Sequence, residues 1–294
     1  MNKNLCLTTV TDDKFIFGTS VLLHSFLKNN KWFNGDIIIF YDELSNDSIK
    51  LLKPFRNVIL SHVSQELSNC LNDVIKKFPR YKKKYRRFFS LENFRLTEYK
   101  SVLFLDSDLL VLQDVSDLFL YDGDILACPD GLGYSGLIRE KKSFLKVKVE
   151  APNKKDFFIR SFNSGFMLIG NKYLNNNTFD ELLEVIYTKD WNELEMPHTD
   201  QFVLNHFFEE EIVYIPSTFN LILPKSKETI SYTGLNIDEI KVIHFVGYKP
   251  WELNRAYAST QIELSRLKFI QIWYEMYFDF LKLSHLSQIT KVNN

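Results

Sequence analysis

Along the first half of the chain, continuous apolar runs alternate with segments whose apolar residues recur at helical spacing. LCLTTV (5–10) reads as a buried strand and Phe15–Leu27 as a helix. DIIIFYD (36–42) reads as a strand, SNDSIKLLKPF (45–55) as a short helix, NVILSHV (57–63) and SVLFLD (101–106) as strands. Unbroken apolar strands separated by helices predict βαβ units, hence an α/β fold with a mostly parallel central sheet flanked by helices. Within 113–128 a helix (DVSDLFL) precedes a strand (DILACP), and NSGFMLIG (163–170) is a further strand. TFDELLEVIYTKDW (178–191) and DQFVLNHFFEE (200–210) are helices, and KVIHFVGY (241–248) is a late strand. Beyond Trp251 the tail is helical: IELSRLKFIQIWYEMYFDFLKL (262–283) carries a broad apolar stripe that packs on the domain. The alternative for that stripe is a partner or membrane-surface helix.

One apolar run is interrupted by charge. LFLDSDLLVL (103–112) holds Asp106 and Asp108 at its middle, at the carboxyl end of a predicted strand, where ligands bind in open α/β sheets. In an extended segment residues i and i+2 point the same way, so the two carboxylates converge. Held together near an apolar wall they repel, and a divalent cation removes that penalty. Hard oxygen ligands select Mg²⁺ or Mn²⁺. Asp122-Gly123-Asp124 has the same spacing, but its glycine and its place between helix and strand mark a solvated turn. His244, at the end of the late strand, would add an imidazole and favour Mn²⁺. The Gly247-Tyr248-Lys249 stretch that follows offers a flexible backbone and a point charge for phosphate.

Composition narrows the class. The 294 residues are 45% hydrophobic, with 26 Phe and 14 Tyr, enough for a large core. The formal charge is −1, from 36 basic and 37 acidic residues, and the lack of a basic excess argues against nucleic acid as a partner. Cys6, Cys70 and Cys128 are far apart and odd in number, which argues against a disulfide framework or cysteine-bound zinc. The first residues contain too short an apolar stretch for a signal peptide, and no run spans a bilayer. The expectation is a cytoplasmic protein. YKKKYRR (81–87) reads as a solvated basic face, with anionic lipid or a phosphate-bearing acceptor as the minority reading.

Five blocks in fixed order, from LTTVTDDKF to HFVGYKPW, resemble the retaining glycosyltransferases of family 8, over roughly residues 1–251. The resemblance implies a GT-A (Rossmann-like) catalytic domain over 1–251, with 252–294 as a helical extension packed on it. It implies transfer of a hexose from a UDP-sugar, UDP-glucose or UDP-galactose first, to a hydroxyl acceptor on a glycan, a lipid-linked glycan or a protein. Asp106, Asp108 and His244 would be the ligands of Mn²⁺ (or Mg²⁺), with Ser107 near the ribose. Gly247 and Lys249 would meet the diphosphate. Thr8, Thr9 and Asp12 resemble the segment receiving uracil and ribose, with Phe15 as its stacking aromatic. Arg87, ahead of Arg86, resembles the basic residue near the donor. Asp130, Asn163, Ser164, Asp200 and Gln201 resemble residues around the transferred sugar, and Asp200, Gln201 and Asp130 are the candidates for nucleophile or cation stabiliser.

Taken without that resemblance, Asp200-Gln201 reads as a helix cap and FNSG as a turn. The chain departs from the family pattern in having only Tyr248 between Gly247 and Lys249, and Lys14 where a small polar residue is common. The polar, Lys-rich segment 131–160 is read as a lid. Two rivals remain: a metal-dependent nucleotidyltransferase and a non-catalytic sugar-nucleotide or glycan-binding module. The first needs a Gly-rich basic loop after the first strand, and LTTVTDD has neither glycine nor base there.

Overall fold

In the computed structural model, which describes residues 3–130, 161–188, 199–252 and 264–292, the chain builds a seven-stranded and a three-stranded sheet. Strand β1 (Lys3–Val10) leads into helix α1 (Ile16–Asn29), and β2 (Asp36–Tyr41), α2 (Asn46–Leu52) and β3 (Val58–His62) follow. Helix α3 (Gln65–Lys77), which the sequence reading leaves unassigned, buries Leu67, Cys70, Leu71 and Val74 on one face. Its first turn is capped by Ser64 Oγ, which accepts from Leu67 N at 3.2 Å. Glu92, on a 3₁₀ stretch (Tyr85–Arg95), accepts in turn from Ser64 N and Oγ at 2.8 and 2.6 Å.

The large sheet then takes β4 (Tyr99–Leu105), β6 (Ile125–Pro129), β7 (Phe162–Gly170) and β8 (Val213–Tyr214), in the order β3-β2-β1-β4-β7-β6-β8. Every pairing is parallel except those of β7, which runs against β4 and β6. The mostly parallel expectation holds. Because β7 is reversed, its amino-terminal residues Asn163–Gly165 lie at the same sheet edge as the carboxyl ends of β1, β4 and β6. That edge is where the polar residues of interest gather.

The apolar run around Asp106 and Asp108 is two strands, not one. β4 ends at Leu105, and β5 (Leu109–Val111) crosses into the small sheet, ordered β5-β10-β9 with β9 (Leu221–Ile222) and β10 (Val242–His244). Between them Asp106-Ser107-Asp108 forms a turn closed by Leu109 N donating to Asp106 O at 3.1 Å. The carboxylates therefore converge because the chain turns, and the extended i, i+2 geometry expected from sequence is corrected. The late strand is also shorter than expected, stopping at His244, and beyond it Gly247 takes φ +84°, a left-handed conformation through which no strand continues.

Asp122-Gly123-Asp124 is a largely exposed bend, as expected. The C-terminal helix Leu264–Val292 lies against α1 and places Phe269 and Trp273 in one core cluster with Val21, Leu110 and Ile243. No helix among the described residues is long and apolar enough to cross a membrane. The segment 131–160 lies outside the described residues.

Candidate active site

Strand pairing brings the acidic turn and the histidine together. β10 runs antiparallel to β5 with His244 opposite Leu109, and Phe245 N donates to Asp108 O at 3.0 Å. His244 Nε2 thus lies 3.1 Å from Asp108 Oδ1 and 3.7 Å from Asp106 Oδ2. Among the described residues these three form the one group of carboxylate and imidazole donors within 4.8 Å of one another. The spacing can be tested against a cation. An octahedral ion with bonds of about 2.1 Å separates neighbouring ligand atoms by roughly 3 Å, close to what the side chains present. Two carboxylates and an imidazole fit a divalent first-row or hard metal.

Gly165 forms the floor. Asp106 N donates to Gly165 O at 2.8 Å, and a Cβ at position 165 would fall 2.4 Å from His244 Cε1 and 2.7 Å from Asp106 Oδ2. Only a residue without a side chain leaves room for both ligands.

The carboxylates are driven apart in acidity. Although 40% of the Asp106 side chain reaches the cleft, desolvation by its walls and the charge of Asp108 push its carboxyl up to about 7. Asp108 also suffers desolvation, but Lys249 and His244 outweigh it and hold its carboxyl far below the ordinary range. Lys249 Nζ bonds to Asp108 Oδ2 and donates to Phe245 O at 2.8 Å. Asp106 binds its proton more tightly folded than unfolded, so its contribution to stability is full below the ordinary 3.8 and is lost as pH rises through about 7. A metal ion requires the unprotonated form. Mn²⁺ affinity is therefore expected to rise about tenfold per pH unit below that value and to level off above it. Calorimetry in buffers of different ionisation heat reads this as protons released on binding at pH 6 and almost none at pH 8. Affinity independent of pH would contradict the coupling.

On one flank of this centre stand the residues expected at the nucleotide. Thr8 and Thr9 are fully buried near the carboxyl end of β1. Thr9 Oγ1 lies 3.5 Å from Ser107 Oγ, and Ser107 donates to Val10 O, so both clasp β1 to the acidic turn. Thr8 Oγ1 has no partner among the described residues. Asp12 Oδ1 accepts from Lys14 N and Phe15 N at 2.8 and 3.0 Å, shaping the entry to α1. Its Oδ2 accepts from Arg86 at 3.0 Å, while Arg86 Nε reaches Asp42 at 2.8 Å. Arg86 therefore serves the Asp12 side, whereas the charge of Arg87 is felt by Asp200. Phe15 meets Trp251 edge-on at 5.7 Å, and Lys249 lies 5.7 Å from the Phe15 ring centre.

On the other flank stand the residues expected at the sugar. Ser164 Oγ donates to Asp200 Oδ2 at 2.9 Å. Gln201 Nε2 donates to Asp130 Oδ2 at 2.9 Å, and Asn163 Nδ2 to Gln201 Oε1 at 3.0 Å. Burial pushes the Asp200 carboxyl up, against the opposing pull of Arg87 and the Ser164 hydroxyl. Asp200 lies in the first turn of the helix Thr199–Phe207, where the dipole favours a negative charge.

These blocks carry a family signature. The sequence profile of glycosyl transferase family 8 matches residues 6–255. The chain belongs to glycosyl transferase family 8. Galactinol synthase 5 of Arabidopsis thaliana is 23% identical over 65% of this chain and 58% of its own length. Glycogenin of Komagataella phaffii is 26% identical over 64% and 42% respectively. The chain thus spans about half the length of these curated relatives. Galactosyltransferase LgtC, solved with donor and acceptor sugar analogs, shares the fold at TM-score 0.65 and 17% identity, covering 93% of this chain and 95% of that one. The GT-A architecture follows from that likeness.

Four further residues of this family 8 chain shape the site and were not singled out from sequence. Gly165 and Asn220 border His244; Asn220 Oδ1 lies 3.0 Å from His244 Nδ1. Gly18 lets α1 approach the acidic turn, since a Cβ there would sit 2.5 Å from Ser107 O. Trp251 Nε1 donates to Lys14 O at 2.9 Å and ties the late motif to the start of α1. The FNSG glycine was visible as part of a motif, but its role depends on what faces it across the sheet.

Proposed function

We propose that this chain is a retaining, metal-dependent glycosyltransferase that moves a hexose from a UDP-sugar to a hydroxyl acceptor. The supporting observation is the convergence of Asp106, Asp108 and His244 at one sheet edge, between an aromatic and acidic flank suited to a nucleotide and an amide and carboxylate flank suited to a sugar. Galactose is the first donor sugar to test, because a galactosyltransferase and galactinol synthases are among the similar proteins. Glucose is the second.

Mn²⁺ bound by the three ligands would supply Lewis acidity to the diphosphate oxygens as the glycosidic bond breaks. Mn²⁺ suits a site that mixes imidazole with carboxylate better than Mg²⁺ does. Lys249, held near Asp108, adds a second positive charge for the departing UDP. Phe15 and Trp251 form an apolar wall for the base, and Asp12, braced by Arg86, faces the nucleoside. Asp130, Asn163 and Gln201 offer fixed acceptors and donors to sugar hydroxyls. Asp200, bonded to Ser164 and near enough for its charge to act on Asp106, would stabilise a developing positive charge at the anomeric carbon.

The test is UDP release from UDP-galactose, UDP-glucose and UDP-N-acetylglucosamine with Mn²⁺ and with chelator. Metal-dependent release from one of them supports the reading; tight UDP and Mn²⁺ binding without release from any would favour a sugar-nucleotide binding module. The anomeric proton coupling of the product decides stereochemistry, and an inverted linkage would exclude retention.

A further inference from the structure

We propose that Asn220 is a positioning residue that holds His244 in its Nδ1–H tautomer through a one-way chain of buried hydrogen bonds ending on Asp130. The proposal rests on the metal-site reading above, but concerns a residue that touches neither metal nor substrate.

The direction of the chain follows from groups that cannot reverse. The backbone N–H of Gly165 donates to Asn163 Oδ1 at 3.1 Å. A backbone N–H only donates, so the oxygen of Asn163 is fixed on that side. The same oxygen receives Asn220 Nδ2 at 2.8 Å. The remaining amide atom of Asn220 is its oxygen, which faces His244 Nδ1 at 3.0 Å. An amide oxygen only accepts. Nδ1 therefore carries the hydrogen, and the Nε2 lone pair points at the gap shared with Asp108 Oδ1 and Asp106 Oδ2.

The far end gives the same polarity independently. Asn163 Nδ2 donates to Gln201 Oε1 at 3.0 Å, and Gln201 Nε2 donates to Asp130 Oδ2 at 2.9 Å. The terminal carboxylate accepts. All five side chains are at most 8% exposed, so water does not readily replace a broken link. Flipping the Asn220 amide would set its oxygen against the Asn163 oxygen and its NH₂ against the Nδ1 hydrogen.

This matters because the other tautomer has no lone pair at Nε2 and would donate toward Asp108 instead of binding a cation. Partners of a metal-binding histidine's second nitrogen fix its tautomer and typically change metal affinity 10- to 100-fold. Asn220 reaches this position from the small sheet, where β9 (Leu221–Ile222) pairs in parallel with β10 and His244 lies opposite Ile222. The same relay joins the metal ligand to Gln201 and Asp130, so the metal seat and the sugar flank share one set of hydrogen-bond directions.

The experiment uses the full chain and two readouts other than turnover. Long-range ¹H–¹⁵N correlation on the metal-free protein at pH 8, with His244→Gln identifying the signal, is expected to show Nδ1 protonated and Nε2 bare. Mn²⁺ titration followed by the electron paramagnetic resonance of free Mn²⁺ is expected to show affinity reduced about 10- to 100-fold in Asn220→Ala. Asn220→Asp keeps an oxygen toward Nδ1 but sets its second oxygen against that of Asn163, and is expected to lose less Mn²⁺ affinity than Asn220→Ala while keeping the Nδ1–H tautomer. An Nε2–H tautomer in the unaltered protein, or unaltered Mn²⁺ affinity in Asn220→Ala, would overturn the proposal. If Asn220→Ala does not fold, the tautomer measurement on the unaltered protein decides. Absence of any Mn²⁺ binding by the unaltered protein sinks the metal-site reading itself, and the tautomer measurement still judges the chain of hydrogen bonds.

Discussion

Asp108→Asn is expected to abolish Mn²⁺-dependent transfer while leaving the fold in place. Asp108 is buried and is the shared partner of His244 Nε2, at 3.1 Å, and of Lys249 Nζ. The amide matches the carboxylate in shape and can still accept from Lys249, so packing is preserved. What disappears is the charge that makes two adjacent carboxylates a cation seat. Metal-supplied charge stabilisation amounts to several kcal/mol, and each 1.36 kcal/mol is a factor of ten in rate. A loss of about 4 kcal/mol corresponds to roughly a thousandfold fall in turnover. Without the Asp108 charge one of the forces raising the Asp106 carboxyl is gone, so Asp106 should ionise at lower pH than in the unaltered protein. Steady-state UDP release and Mn²⁺ titration check the first claim, and carboxyl ¹³C titration checks the second. Unchanged Mn²⁺ affinity in the variant would falsify the ligand assignment.

Gly165→Ala should have the second largest effect, and for a steric reason. The added methyl would lie 2.4 Å from His244 Cε1 and 2.7 Å from Asp106 Oδ2, far inside ordinary contact. The ring cannot retreat freely, because its Nδ1 is tied to Asn220 at 3.0 Å. Nor can β7 move away, since it is hydrogen-bonded to strands on both sides. The two ligands must spread, and the spacing that suits a divalent ion is lost. Overpacking of this kind costs about 1–3 kcal/mol of stability, which for a chain of this size lowers Tm by roughly 2–5 °C. Mn²⁺ affinity is expected to fall by at least about 100-fold, beyond the range for disturbing a ligand's outer partner. Thermal melts with and without Mn²⁺ measure both effects together: the variant should lose the metal-induced rise in Tm expected of the unaltered protein. A variant that melts higher with Mn²⁺ by the same margin would show that the floor of the site is not where the structure puts it.

Much of this was legible along the chain. The β1 and β2 strands announce themselves as apolar runs, and the aspartates of the acidic turn stand out because their flanks are greasy. The fold class follows from alternating periodicities that need no partner to be read. Other features were not legible because they are written in two places at once. Gly165 looks like a turn residue until Asp106 and His244 are set against it. Asn220 sits in STFNLI, a stretch with no feature of its own, and acquires a role only beside His244. Arg86 and Arg87 are adjacent in sequence yet serve different flanks, a division that depends on how the 3₁₀ stretch Tyr85–Arg95 lies on the sheet edge.

By itself the sequence determined most of the local states and the chemistry: which of the apolar segments extend, which coil, and that carboxylate, imidazole, amide and lysine were available in the order of one enzyme family. The tertiary structure alone decided that the acidic run breaks into strands of two sheets. It also decided that His244 lies against Asp108 and that a chain of amides polarises the imidazole. The physical reason is that backbone propensity and apolar periodicity are summed over neighbours in sequence. A metal seat is defined by atoms a few ångströms apart in space, and strand pairing between distant segments sets those distances.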